Sequence, residues 1–213
     1  MTLIESETRL RAARGIAKTE TRGAIEAFEQ LKRRGHRHSP PPLISDGWGG
    51  YEEAMVEVWG KVPEYRGMGR PPTKKKPQAG WRHLQMVKQR ENGRVIGVKP
   101  KAIYGDEREL RRLLGESTSY VERTNLTSRH MNGRLVRKTL GYSKKLTMLE
   151  ASSIWEDAIY NLGRAHKSLR IEISEEAAGH WKKRSPAMAA GLTDRIWRIE
   201  ELLTVLPIPP TNT

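Results

Sequence analysis

Residues Ser119 to Lys144 read SYVERTNLTSRHMNGRLVRKTLGYSK. The stretch holds one acid near its front, Glu122, followed by Arg123, Arg129, His130, Arg134, Arg137, Lys138 and Lys144 with no further acid. At helical spacing Glu122, Leu126, Arg129, Gly133, Val136 and Leu140 share one stripe, and Arg123, Thr127, His130, Arg134 and Arg137 share the next. A lone carboxylate beside a ladder of cations suits a place where a metal ion meets a phosphodiester. It suits equally a solvated helix whose early acid complements the helix dipole. Residue types alone favour the second.

The run YVERTNLTSRHMNGRLVRKT, followed by YSK, resembles the segment that carries the last acidic residue in transposases of the insertion-sequence-one type. Those proteins have a ribonuclease-H-like core and an Asp-Asp-Glu metal site, so the resemblance implies Glu122 as the third catalytic carboxylate. Upstream, Leu43-Ile44-Ser45 read as a short apolar strand ending at Asp46, with Gly47, Gly49 and Gly50 breaking it open. Open α/β sheets place their ligands beyond the carboxyl ends of strands, although an Asp-Gly turn is common without any ligand. SDGWGGYEEAM resembles the transposase segment bearing the second catalytic Asp, and Asp46 stands in that slot. AIYNLGRAHKSLR resembles the end of transposase and integrase cores, which assigns Tyr160, Asn161, Arg164 and His166 to closing the core beside DNA.

The implied fold is α/β: a partial ribonuclease-H-like core, a mixed sheet flanked by helices, with a basic β-hairpin insertion and a helical C-terminal extension. The implied chemistry is DNA cleavage and strand transfer at two ions, Mg2+ or Mn2+, about 3.5–4 Å apart, held here by Asp46 and Glu122. The chain opens in what resembles the second strand of that core. The expectation is therefore an N-terminally truncated copy without the first Asp, catalytically incomplete by itself. The alternative is a non-catalytic basic DNA-binding protein on the same scaffold. Implied partners are the element's DNA ends and target DNA, with a second copy or a full-length transposase as possible company.

Charge agrees with a polyanionic partner: 39 Lys and Arg against 25 Asp and Glu give +14 and a pI of about 10.2. No cysteine is present, which excludes disulfides, zinc-cysteine sites and thiol nucleophiles. The polar N-terminus does not read as a signal peptide, and no apolar run approaches the roughly 20 residues of a membrane span. The expected partner is not a membrane, and the expected location is the cytoplasm, at the nucleoid. A 36% hydrophobic content and a mean hydropathy of −0.71 point to one modest core with exposed segments.

Along the chain, 1–60 read as the front of the core: two short strands, a helix from Thr21 to Gly35, the Asp46 strand, and a helix from Tyr51 to Trp59. Residues 61–103 read as a basic loop and hairpin. Its turn is Glu91-Asn92-Gly93-Arg94, and Lys74, Lys75, Lys76, Arg82, Lys88, Arg90 and Arg94 are its candidate DNA contacts. From the opening stretch, Arg123, Arg129, His130, Arg134, Arg137 and Lys138 join them. Residues 104–173 read as the helical rear of the core, with Asp106 to Leu114 and Lys145 to Arg170 as helices. Residues 174–213 read as a C-terminal extension whose helix starts at Pro186.

Overall fold

Two glycines allow the closest backbone approach in the front of the chain. A Cβ on Gly15 would lie 1.8 Å from the carbonyl oxygen of Gly23, so the segment after strand β2 (Arg11–Arg14) lies directly against helix α1 (Glu20–Arg33). Thr19 caps α1 by accepting from the Arg22 N–H. The helix buries Ala24, Ala27, Phe28 and Leu31 at spacings of three and four. It packs on α2 (Gly50–Trp59), which turns Ala54, Met55, Val58 and Trp59 inward. Phe28 and Trp59 meet with ring centroids 5.5 Å apart. Helical spacing predicts Phe28, Leu31, Ala54, Met55 and Val58 among these, while Ile25, expected beside Phe28, is only half-buried.

The computed structural model describes residues 1–65, 67, 69–136, 138–173 and 181–204. The chain is mixed α/β and divides into two compact units, where composition suggested one core. The first holds Met1–Leu3 and Ala12–Asn125, the second Ile4–Arg11 and the chain from Leu126 onward. The division falls within the two-stranded sheet of β1 (Thr2–Ile4) and β2, and within α4 (Ser119–Met131).

In the first unit β3 (Leu43–Asp46) pairs parallel with β4 (His83–Glu91), which pairs antiparallel with β5 (Arg94–Tyr104). The order is β3-β4-β5, a mixed sheet. Ile44, Leu84, Met86 and Ala102 form one face beneath Leu110 and Leu114 of α3 (Glu107–Leu114). The Asn92-Gly93 turn has φ of 49° and 77°, the positive pair that a tight hairpin turn requires. Both hairpin strands run longer than their apolar runs suggested. His83 to Met86 are buried, so the base of the hairpin is the middle strand of the sheet.

Two helices are shorter than expected. α4 ends at Met131, and a short 3-10 turn, Gly133–Leu135, follows. Asn132 leaves helical geometry, its Oδ1 accepting from the Arg134 N–H and its Nδ2 donating to Ser152 Oγ at 3.2 Å. A short amide side chain that captures local backbone competes with the helix in this way. The stripes drawn from Ser119 to Lys144 therefore hold only to Met131. Within α4 the buried positions are Thr124 and Ser128, continued by Asn132, while Leu126 faces outward.

The expected helix from Lys145 to Arg170 is α5 (Leu146–Ala158), a π turn (Ile159–Gly163), and then strand β6 (His166–Glu172), antiparallel to β7 (Trp181–Arg184). Pairing with β7 overrides a weak helical period. The rear segment is thus helical and stranded together. In the tail, Pro186 does open a helix, α6 (Pro186–Ala189), behind the Ser185 cap, and α7 (Ile199–Thr204) follows.

The second unit is held by a buried ion cluster. Arg11 Nη1 lies 2.5 Å from Glu156 Oε1 and 2.8 Å from Asp157 Oδ1, and its guanidinium covers the Tyr160 ring at 3.8 Å. Asn161 exchanges both its amide groups with the Arg11 backbone, at 3.0 and 3.1 Å. Removing the guanidinium strands a carboxylate that is 3% exposed. Arg11→Ala is expected to destabilise the second unit by about 3–5 kcal/mol, read as a lower urea midpoint. Arg11→Met combined with Glu156→Gln is expected to recover most of that loss.

Candidate functional site

Asp46 is the last residue of β3 and is exposed. Its Oδ1 accepts from the Trp48 N–H at 3.2 Å, folding the chain back at the strand end. Gln85 Nε2 holds the Trp48 carbonyl at 3.1 Å, tying the loop to β4. The Trp48 ring lies over Gly50, where a Cβ would come within 2.2 Å of it, and meets Tyr51 edge-on at 4.8 Å. Gly50 is therefore required by close approach. Tyr51 is pushed up to about 12 by burial first, then by the negative charges of Asp46 and Glu20.

The register carries the second acid toward the same strand end. Asp46 lies opposite Met86, and side-chain alternation puts Asp46, Met86 and Lys88 on one face of the sheet. Lys88 Nζ stands 3.0 Å from Glu122 Oε1, in the first turn of α4. Glu122 thus meets β4 two residues beyond the partner of Asp46. The two side chains are 45% and 61% exposed, so the pair contributes no more than about 1 kcal/mol. Another cation can displace the ammonium.

Beneath this strand end sits His83, fully buried between the Tyr51 and Tyr104 rings. Ser45 Oγ donates to the Asp46 carbonyl at 2.9 Å, so it accepts from His83 Nε2–H, also at 2.9 Å. The ring is then the neutral Nε2–H tautomer, and its Nδ1 has no partner among the described residues. Burial pulls the His83 pKa down to about 4. His83, Ser45, Gln85 and Trp48 were not singled out from the sequence. The only signal was their adjacency to Asp46 and to the start of β4.

The basic candidates fare unevenly. Lys74 is exposed, but Lys75 is paired with Glu57 at 2.7 Å, and Lys76 exchanges backbone hydrogen bonds with Lys61. Of the three side chains only the Lys75 ammonium is shown on a carboxylate, and those of Lys74 and Lys76 are exposed. Arg82 stands 3.7 Å from Glu109, while Arg90, Arg94 and Arg123 lie exposed. In the second unit His130 and Lys138 are exposed and Arg129 is half-buried; Arg134, also half-buried, donates to Ser143 Oγ at 3.2 Å. Arg137 lies outside the described residues. Of the core-closing set, Tyr160 is buried, Asn161 is spent on Arg11, Arg164 reaches Met131 Sδ at 3.4 Å, and His166 packs on Tyr160 at 4.7 Å.

Asp46 and Glu122 are exposed carboxylates, and Glu122 is paired with the Lys88 ammonium. Magnesium is commonly held by one or two carboxylates, substrate phosphates and retained water. Among the described residues there is no group of three or more His, Asp or Glu placed to hold a metal. No described helix is long and apolar enough to cross a membrane. No protein-family profile, curated protein or solved structure matches this chain.

The buried histidine has a measurable consequence. Its folded pKa, near 4, lies below the ordinary value of about 6.5, so the unfolded chain binds the proton first. Stability is full above about pH 6.5 and falls as pH drops toward 4. Urea unfolding at pH 5 against pH 7.5 is expected to show a loss on the order of 2 kcal/mol from this group. His83→Gln, which keeps a donor for Ser45, is expected to flatten that part of the profile.

Proposed function

We propose that this chain is a transposase-type DNA-handling protein, a ribonuclease-H-like scaffold carrying Asp46 and Glu122 as two acids of a strand-cleaving and strand-joining site. The observation that carries the reading is the Lys88–Glu122 pair, by which an acid on a helix meets the strand next to the one that ends at Asp46. Further support comes from the order of elements: a strand ending in an acid, a helix, a parallel neighbour, an antiparallel return, a short helix, and then the helix with the second acid. The net charge of +14 supports DNA as the partner.

In this reading Asp46 and Glu122 hold a magnesium or manganese ion against a DNA phosphate. When bound, such a metal would supply Lewis-acid stabilisation of the charge on the reacting phosphate. Arg90, Arg94 and Arg123 neutralise neighbouring phosphates. Lys88 balances the Glu122 charge and would be free to meet a phosphate once that charge is neutralised otherwise. Ser45 and His83 hold the backbone from which Asp46 projects.

The second reading is a non-catalytic basic DNA-binding protein. Its support is the same Lys88 ammonium, which leaves Glu122 satisfied without any ion. Manganese separates the two. On the first reading Mn2+ raises the melting temperature, Asp46→Asn and Glu122→Gln each abolish the rise, and Lys88→Ala lowers the Mn2+ midpoint by up to about 5-fold. No response to Mn2+ beside unchanged DNA binding selects the second reading.

Duplex DNA binding itself is expected to weaken steeply with salt. Arg90→Ala with Arg94→Ala is expected to reduce the slope of log affinity against log salt by about 0.9 for each phosphate that is no longer neutralised. An unchanged slope removes the hairpin from the interface.

A further inference from the structure

Past Met86, β4 pairs with no strand on its β3 side among the described residues, because β3 ends at Asp46. Residues Val87 to Glu91 and Arg94 to Lys99 continue as a two-stranded ribbon, about 15 Å long at the rise of a strand. Most of it is solvated on both faces. Its charges are Lys88, Arg90, Arg94 and Lys99 against Glu91 alone. Yet it also carries the apolar side chains of Val95, Ile96 and Val98, which are 48%, 63% and 47% exposed.

Their arrangement is specific. Lys88 pairs with Val98 and Arg90 with Val95, so cations from one strand and valines from the other share the face on which Asp46 projects. A register shift between Gln89 and Arg90 leaves Ile96 as the extra residue of a bulge, a feature that re-aims side chains. Strand propensity alone accounts for β-branched residues here, but threonine would serve that purpose without exposing apolar surface in water.

Resting on the DNA-binding reading above, we infer that the ribbon enters the major groove of duplex DNA and that Val95, Ile96 and Val98 read thymine methyl groups there. The groove is about 12 Å wide and admits a two-stranded ribbon. Strands inserted in this way are an established mode of base readout. Within it Lys88, Arg90 and Arg94 flank the apolar residues and meet the phosphate walls. Phosphate contacts set register and general affinity, whereas base-edge contacts set sequence preference. The apolar residues are the sequence-determining part of the interface.

The test uses the full chain and a pool of random-sequence duplexes, from which bound DNA is enriched. The preferred duplex is then remade with deoxyuridine in place of single thymidines, which deletes only the methyl group. Wild type is expected to select a thymine-containing sequence and to bind about 3- to 4-fold more weakly for each recognised methyl removed. Val95→Thr, Ile96→Thr and Val98→Thr combined keep β-branching and strand propensity at exposed positions, so the variant should match wild type in melting temperature and salt slope. It is expected to select no sequence and to ignore deoxyuridine. Salt-dependent binding without selection by wild type, or selection unchanged in the variant, overturns the inference and leaves the DNA reading standing. No binding to duplex DNA overturns both.

Discussion

Four consecutive residues of β4, His83 to Met86, are buried and so must satisfy their backbone donors and acceptors within the protein. β3 does this on one side and β5 on the other, and most of the first unit follows from that requirement. α2 covers the face that bears His83, and α3 covers the face that bears Leu84 and Met86. Because β3 is only four residues long, it runs out at Asp46 while β4 continues. One short strand therefore creates both the exposed acid at its end and the bare ribbon beyond it.

Paired cations occur in buried and in exposed settings, and the second unit has both, with Arg195 meeting Glu201 at its surface. In the same unit, Arg11 is buried and matched by Glu156 and Asp157, with Tyr160 covering the remaining face of the guanidinium. Such a cluster contributes little net stability but makes any other arrangement costly. In the first unit, the paired cations are exposed: Lys75 with Glu57, Arg82 with Glu109, Lys88 with Glu122. Exposed pairs exchange partners readily. A surface of this kind can trade a carboxylate for a phosphate, which suits the proposed role of Lys88 beside Glu122.

Much of the fold was legible in local chemistry. Phe28 and Leu31 recur at helical spacing, Asn92-Gly93 demands a tight hairpin, Asp106 caps α3, and Gly115 ends it at a φ of 72°. Each of these is a statement about residues a few positions apart, where backbone geometry and side-chain reach decide the outcome. The acid at Asp46 was legible for the same reason, since an apolar run, an acid and glycines define a strand end by themselves.

The remainder depended on partners outside the element being read. Residues 166–172 carry a partial helical period, but β7 supplies hydrogen bonds that make them a strand. His83 reads as the edge of a hairpin until α2 and Tyr104 close over it. Lys75 reads as a free cation until Glu57 faces it. By itself the sequence determined the helices of the first unit, the hairpin turn, the two candidate acids and the excess of positive charge. Only the tertiary structure decided that Glu122 meets β4 beside the strand of Asp46, and that Lys75, Arg82 and Lys88 each face a carboxylate. Helical and strand periods repeat within one element, whereas register, burial and charge pairing are set by surfaces that the chain brings together only on folding.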